Sequence, residues 1–169
     1  MFTHAGGIVS HVPTLHANTT SVRTSAGSIK GTYTLGEYLV LLSNAGTIDV
    51  EVVVDTSVQS PKAKFKTQSQ AGSTSVDLLP PLKHRDQIES SHVSQAGSVT
   101  LNYPGEWEGT VEAQIAAGSL KLSGEGLRIV ESRGQLVDRY EKAVRGDFEK
   151  KGTVHIVNAA GSIVFSLEQ

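Results

Sequence analysis

The side chains of this sequence that could do chemistry are mainly carboxylates, and one pair of them flanks the single tryptophan. Cleavage of a glycosidic bond needs two carboxyl groups a defined distance apart. The turn Glu106-Trp107-Glu108 supplies two acids beside an indole ring. An exposed ring there could stack on a sugar, whereas a ring turned inward would cap the core. Both roles for Trp107 are open, and the core role is favoured.

A second group of polar residues stands five positions after successive glycines of an internal repeat. Its members are Thr32, Glu51, Asp77, Asn102, Ser123 and Ser166. If the repeats stack as strands, Glu51, Asp77 and Asn102 lie about 5 Å apart in one outward-facing column. Such a column could hold a cation or a sugar, and a solvated surface explains it equally well. The candidate binding residues are therefore Glu51, Asp77, Asn102, Glu106, Trp107 and Glu108.

Histidine and cysteine give little support for a metal centre. His4, His11 and His16 fall in the first sixteen residues, but no acidic residue precedes Glu37, so a polar arm explains them better than a metal site. The absence of cysteine excludes disulfides, iron–sulfur clusters and cysteine-ligated zinc. We predict no metal, no cofactor and no catalytic residue. His92 falls on an inward-facing position and is expected in the core.

The repeat is the tripeptide Ala-Gly-Ser or Ala-Gly-Thr. Its glycines, the predicted structural corners, are Gly27, Gly46, Gly72, Gly97, Gly118 and Gly161, and degenerate copies occur at positions 6 and 134. The copies are about 22 residues apart on average, which is typical of solenoid repeats. Apolar residues alternate with polar ones on both sides of each glycine, as in a strand with one buried face. The alternation slips by one residue at the glycine, as a corner or bulge would require.

These patterns predict an all-β protein. We expect a single-domain β-solenoid (β-helix) of about seven to eight rungs, each made of a strand, an Ala-Gly-Ser/Thr corner, a second strand and a turn. Residues 1–18 would form an N-terminal arm or a first irregular rung, and residues 19–169 the solenoid domain. The alternative is an antiparallel β-barrel or sandwich in which Ala-Gly marks bulges. Residues 135–144 carry apolar residues at roughly helical spacing, but the degenerate corner at Gly134 explains them as well.

Two segments carry a family resemblance. Residues 39–50 and residues 103–111 combine alternating apolar residues with a small residue, glycine and a hydroxyl residue, or with a Pro-Gly turn. This pattern resembles the putative-adhesin β-solenoid domains of unknown function, with fungal members closest. The resemblance implies a stacked-strand fold and supplies no catalytic residue that can be transferred.

Charge and hydropathy narrow the range of partners and compartments. The chain has 15 Lys+Arg against 17 Asp+Glu, a net charge of −2, so it lacks the basic excess of a nucleic-acid or anionic-membrane binder. No apolar run approaches the roughly 18 residues that span a bilayer. The first residues show no signal-peptide pattern. A cytoplasmic location is the default expectation, and secretion is the alternative if a leader has been removed.

The partner expected from the sequence is a second copy of the chain or another protein. Apolar residues stand at several positions that the alternation directs to solvent, namely Val40, Leu42, Val93, Val130 and Val157. Such residues mark a partner surface when they share a face, and the end rungs of a solenoid need capping or pairing. The leading hypothesis is therefore a non-catalytic structural or binding module that presents an extended face. The alternative is a carbohydrate-binding or carbohydrate-active protein that uses the acidic residues and Trp107.

Overall fold

The computed structural model describes residues 2–3, 7–10, 18–58, 60–82, 87–135, 137–146 and 151–168. These residues form the strands β1 (Phe2–Thr3), β2 (Ile8–Ser10), β3 (Thr19–Ala26), β4 (Ile29–Leu35), β5 (Tyr38–Ala45), β6 (Ile48–Val54), β7 (Lys62–Ala71), β8 (Thr74–Leu79), β9 (Gln87–Pro104), β10 (Gly109–Ser123), β11 (Arg128–Arg133), β12 (Val137–Arg145) and β13 (Gly152–Glu168). Within these ranges, no helix has the length and apolar character needed to cross a membrane. The protein is all-β, as predicted.

The strands form two parallel ladders that are joined at the glycines. The first ladder contains β1, β3, β5 and β7, followed by the first halves of β9, β13 and β10. The second contains β2, β4, β6 and β8, followed by the second halves of the same three long strands. Because those long strands run through the glycine without a break, both ladders belong to one large mixed sheet that does not close on itself.

The six predicted corner glycines lie in one column. Each Ala-Gly pair stands beside the next in register, and Gly161 lies between Gly97 and Gly118. All six have φ between 120° and 136°, a backbone conformation that residues other than glycine rarely adopt. A Cβ on Gly97 would lie 2.5 Å from the carbonyl oxygen of Gly72. Glycine is therefore required at this column for close approach as well as for backbone conformation.

Of the two degenerate copies of the repeat, the one at position 134 does not extend this column. Gly134 lies in the turn between β11 and β12, which pair antiparallel, and position 6 lies outside the described residues. Residues 135–144, whose apolar residues stand at roughly helical spacing, belong to strand β12 from Val137 onward, and residue 136 lies outside the described residues.

The order of the strands differs from their order in the sequence. Strand β13 pairs with β9 on one side and with β10 on the other, so the last repeat of the sequence lies inside the sheet and not at its end. The three strands that run unbroken through the glycine corner thus lie side by side, where their full lengths can pair. Beyond β10 the first ladder ends in β12 and β11, both paired antiparallel.

The core lies between the inward faces of the two ladders. Alternate residues of both contribute to one cluster, including Leu39, Leu41, Phe65, Val52, Leu101 and Phe165. A buried polar column runs beside the glycines, three positions before five of the six: Thr24, Ser43, Ser69, Ser94 and Asn158.

This polar column stabilises the corners. Ser43 Oγ donates a hydrogen bond to the carbonyl oxygens of Gly27 and Gly46 at 3.3 Å, and Asn158 Nδ2 donates to that of Gly97 at 2.8 Å. Each bond gives a side-chain donor to a carbonyl oxygen at a corner. The sequence signal for this column is a Ser, Thr or Asn three residues before glycine, which the alternation of apolar residues does not reveal.

Candidate functional site

A groove opens where two neighbouring strands of the second ladder stop pairing. Strands β8 and β9 pair only as far as Asp77 and Asn102, although they run on to Leu79 and Pro104. On their other sides β8 stays paired with β6 to Leu79, and β9 stays paired with β13 to Pro104. Proline has no backbone N–H to donate to a neighbouring strand, so Pro104 cannot continue the ladder toward β8. The gap widens into a groove of about 540 Å³.

The lining of this strand-end groove is apolar along the strands and charged around the rim. Apolar surface comes from Leu78, Leu79, Pro80, Tyr103, Pro104 and Leu167. The charged and amide side chains are Asp77, Asn102, Glu106, Glu125, Arg145 and Glu168. The groove therefore combines a surface for apolar groups with an excess of carboxylates.

Asp77 and Asn102 at the mouth of the groove belong to a hydrogen-bonded row across three strands. Asn102 Nδ2 donates to Asp77 Oδ1 at 2.5 Å, and Ser166 Oγ donates to Asn102 Oδ1 at 2.5 Å. The row crosses β8, β9 and β13 in register. Because each side chain is tied to its neighbour, the mouth of the groove is held in a defined shape.

The far wall of the groove is the turn that follows β9. The carboxylate of Glu106 accepts a hydrogen bond from the backbone N–H of Leu82. Arg145, from the end of β12, donates to the carbonyl oxygen of Gly105 and to that of Trp107, the latter at 3.1 Å. The guanidinium of Arg145 thus clamps the turn to the antiparallel end of the sheet.

The structure brings three of the predicted binding residues together and separates the others. Asp77, Asn102 and Glu106 all line the groove. Glu51 stands beside Asp77 in the predicted column, but it accepts a hydrogen bond from Thr32 at 3.1 Å and lies outside the groove. The column also differs in order from the expected one, since Ser166 lies between Asn102 and Ser123.

The other two members of the predicted turn are used elsewhere. Trp107 is 2% exposed, and its ring packs edge-on against Tyr103 and Phe165 with centroids 5.7 and 5.9 Å apart. It therefore takes the core role that the sequence left open and presents no face for a sugar. Glu108 pairs with Lys151 at 3.3 Å.

A polar network inside the core connects the two ladders. His92 Nδ1 lies 2.9 Å from Thr67 Oγ1, and its Nε2 lies 3.3 Å from the hydroxyl of Tyr103, which in turn donates to Ser90 Oγ at 2.8 Å. His92 is completely buried, as expected, and burial lowers its pKa to about 3. Burial also raises the pKa of Tyr103 strongly, against the smaller opposing effect of its bond to Ser90. Both side chains are therefore neutral at physiological pH.

Sequence reasoning missed several residues of the groove. Leu79, Pro80, Glu125, Arg145 and Glu168 come from four separate parts of the chain, and no local pattern joins them. Within the described residues, no three His, Asp or Glu side chains are placed to hold a metal ion.

The family model of the domain of unknown function DUF7330 matches residues 36–165, more than half of the chain. The chain belongs to the DUF7330 family. The match includes five of the six corner glycines, from Gly46 to Gly161, and the groove residues from Asp77 to Arg145. The groove of this DUF7330 protein is therefore built mainly from the family domain itself.

A search of curated proteins finds no match to this sequence. Among solved structures, a putative cell adhesion protein from Clostridium sporogenes ATCC 15579 is similar at a TM-score of 0.42 and 14% identity. That similarity covers 87% of this chain and 57% of the clostridial chain, so the DUF7330 protein spans little more than half of its length. Nothing in these comparisons supports the fungal affinity that the resemblance suggested.

Proposed function

We propose that this DUF7330 domain is a non-catalytic binding module, in which a rigid β-solenoid presents the strand-end groove to a ligand. The observation that carries the proposal is the groove itself. A concave site of about 540 Å³ with an apolar floor and a few fixed polar groups has the dimensions and composition of a ligand site.

The solenoid description rests on the repeated geometry of the rungs. Both ladders are parallel from the first strands to β10, and they share the glycine column. Their inward faces contribute to a single core. Each rung is thereby supported by its neighbours on both sides, and such a stack is well suited to hold a surface in a fixed shape.

The positions of the polar groups favour binding over catalysis. The carboxylates of Asp77 and Glu106 accept hydrogen bonds from Asn102 and from the backbone of Leu82. Arg145 is directed at backbone carbonyl oxygens. These groups shape the groove through fixed contacts, and the buried His92 interacts with Thr67 and Tyr103 inside the core.

Chemical-shift mapping would test the proposal. We would titrate the ¹⁵N-labelled protein with short peptides and with oligosaccharides, and record which backbone amides respond. The proposal expects the shifts to cluster at residues 77–80, 102–106 and 167–168, with no chemical change in the ligand. Responses confined to other surfaces, or turnover of the ligand, would contradict it.

The carbohydrate hypothesis remains as a second candidate on the strength of one observation. Glu51, Asp77 and Asn102 stand side by side on one outward face, as predicted, and could bind sugar hydroxyls. Trp107 contributes no stacking surface because it is buried. A glycan array would separate this candidate from a protein ligand.

Self-association is a further proposal about partners. The apolar strip expected from the sequence is interrupted, since Leu42, Val93 and Val157 share a column with Gln68. Ile129 and Val130 are both 54% exposed on β11, the last strand of the first ladder, and this pair is the more suitable contact for a second copy. Light scattering over a concentration series would measure the molar mass in solution, and a monomer at the highest concentration would exclude self-association.

A further inference from the structure

We propose that the strand-end groove binds an extended segment of a protein partner, and that this segment carries a lysine or arginine among apolar residues. This inference rests on the proposed binding function and adds the class of ligand. Three features of the groove support it: the strand ends that form it, the apolar surface along them, and the charge of its rim.

The first feature is the separation of two strand ends. Strands β8 and β9 lie side by side up to Asp77 and Asn102, and beyond that pair each keeps only its outer neighbour. Leu78, Leu79 and Tyr103 therefore line the groove without pairing to each other, and Pro104, which has no N–H to donate, ends the edge of β9. An extended peptide is the ligand that recurrently pairs with strand edges, because its backbone has the same spacing of donors and acceptors.

The second feature is apolar surface. Leu79 and Pro80 present it from one strand end, and the buried Pro104 and Leu167 line the groove from the other two. Alternate side chains of an extended peptide point to opposite sides, so apolar residues of the ligand can contact these groups while the residues between them face the rim.

The third feature is charge. The rim carries four carboxylates, those of Asp77, Glu106, Glu125 and Glu168, against the single guanidinium of Arg145. Arg145 bonds to the carbonyl oxygens of Gly105 and Trp107. The groove therefore has an excess of negative charge around an apolar surface, and charge complementarity selects a cationic side chain.

An extended peptide also fits the groove better than a sugar. Sugar sites commonly use the face of an exposed aromatic ring, but Tyr103 is the aromatic residue of this lining and is only 1% exposed. Trp107 is buried behind the turn. A ligand that gains affinity from apolar side chains and one or two cations matches the surface that remains.

The test is fluorescence anisotropy with three labelled peptides of identical length. Each has alternating leucine, serine and proline residues, and two central positions hold lysine, glutamine or glutamate. We expect the lysine peptide to bind at least about three-fold more tightly than the glutamine peptide, and the glutamate peptide to bind most weakly. The preference should decrease at high salt, because exposed charges are screened.

A matched pair of variants locates the effect. Glu168→Gln removes an exposed carboxylate from the rim, and we expect it to weaken binding of the lysine peptide about two- to five-fold. Asp49→Asn makes the same change of charge at an exposed position on the second ladder outside the groove, and it should leave binding unchanged. Circular dichroism of both variants would verify that they fold.

The outcomes distinguish the inference from the function on which it rests. If the three peptides bind equally, or if Glu168→Gln and Asp49→Asn behave alike, the cationic ligand is refuted, while chemical shifts at residues 77–80 would still support a binding groove. If oligosaccharides shift these amides and peptides do not, the peptide is refuted in favour of the carbohydrate candidate. If neither class perturbs the groove, both the inference and the proposed function are overturned.

Discussion

Acid should destabilise this protein through His92. The imidazole is completely buried between Thr67 and Tyr103, and burial lowers its pKa from 6.5 to about 3. In the unfolded chain the same imidazole is solvated and has its ordinary pKa. Between pH 6.5 and pH 3 the unfolded state therefore binds a proton that the folded state does not, so the free energy of unfolding falls as the pH is lowered.

The size of this effect follows from the two pKa values. Each pH unit below 6.5 lowers the free energy of unfolding by about 1.4 kcal/mol, until the pH reaches the pKa of His92 in the folded protein. At pH 7 the imidazole is neutral in both states, so His92 does not lower the free energy of unfolding. At pH 5 it lowers this free energy by about 2 kcal/mol, and at pH 4 by about 3 kcal/mol. A domain with a typical stability of about 5 to 15 kcal/mol would be measurably weakened by this one residue.

Urea denaturation at several pH values, for the wild-type protein and for His92→Gln, would measure the effect. Glutamine can still form hydrogen bonds at this site but cannot take up a proton. The carboxylates titrate in both proteins, so the difference between the two free energies of unfolding isolates His92. We expect the wild type to lose about 2 kcal/mol relative to the variant between pH 7 and pH 5. A difference that stays constant over this range would refute the reasoning.

Three further substitutions test the corner column and the groove. Gly97→Ala should lower the free energy of unfolding by at least about 3 kcal/mol, because it combines positive φ with a Cβ 2.5 Å from a backbone oxygen. Gly126→Ala has positive φ but no neighbour nearer than 3.5 Å, so it should cost only about 1 to 2 kcal/mol. Equal losses would show that the close packing of the glycines is unimportant. Ser43→Ala should cost about 0.5 to 1.5 kcal/mol because the corner carbonyl oxygens lose its hydroxyl, and an unchanged denaturation midpoint would contradict this role. Arg145→Met should increase hydrogen exchange at residues 105–107 and leave that of β6 unaffected, since only the turn loses its clamp; unchanged exchange in the turn would show that Arg145 does not hold it.

Some of the candidate site could be predicted from the sequence. The repeat predicts that Asp77 and Asn102 are neighbours, because both stand five residues after one of its glycines, and the register confirms this. Glu106 was identified from its turn. The sequence favours the core role of Trp107 but leaves the solvent-facing role open, because a tryptophan in a turn can face either way, and its contacts with Tyr103 and Phe165 show that it faces the core.

By itself, the sequence determined the all-β class, the glycine corners and which residues face inward. These properties are local, since strand alternation depends on immediate neighbours and the backbone at each corner excludes a Cβ. Only the tertiary structure decided that β13 lies between β9 and β10 and that the stack ends in an antiparallel hairpin. Repeats with similar patterns can pair with one another in many orders, and the choice depends on packing between residues far apart in the chain. The groove is a product of the same choice, because it requires strand ends and turns that meet only when the chain has folded.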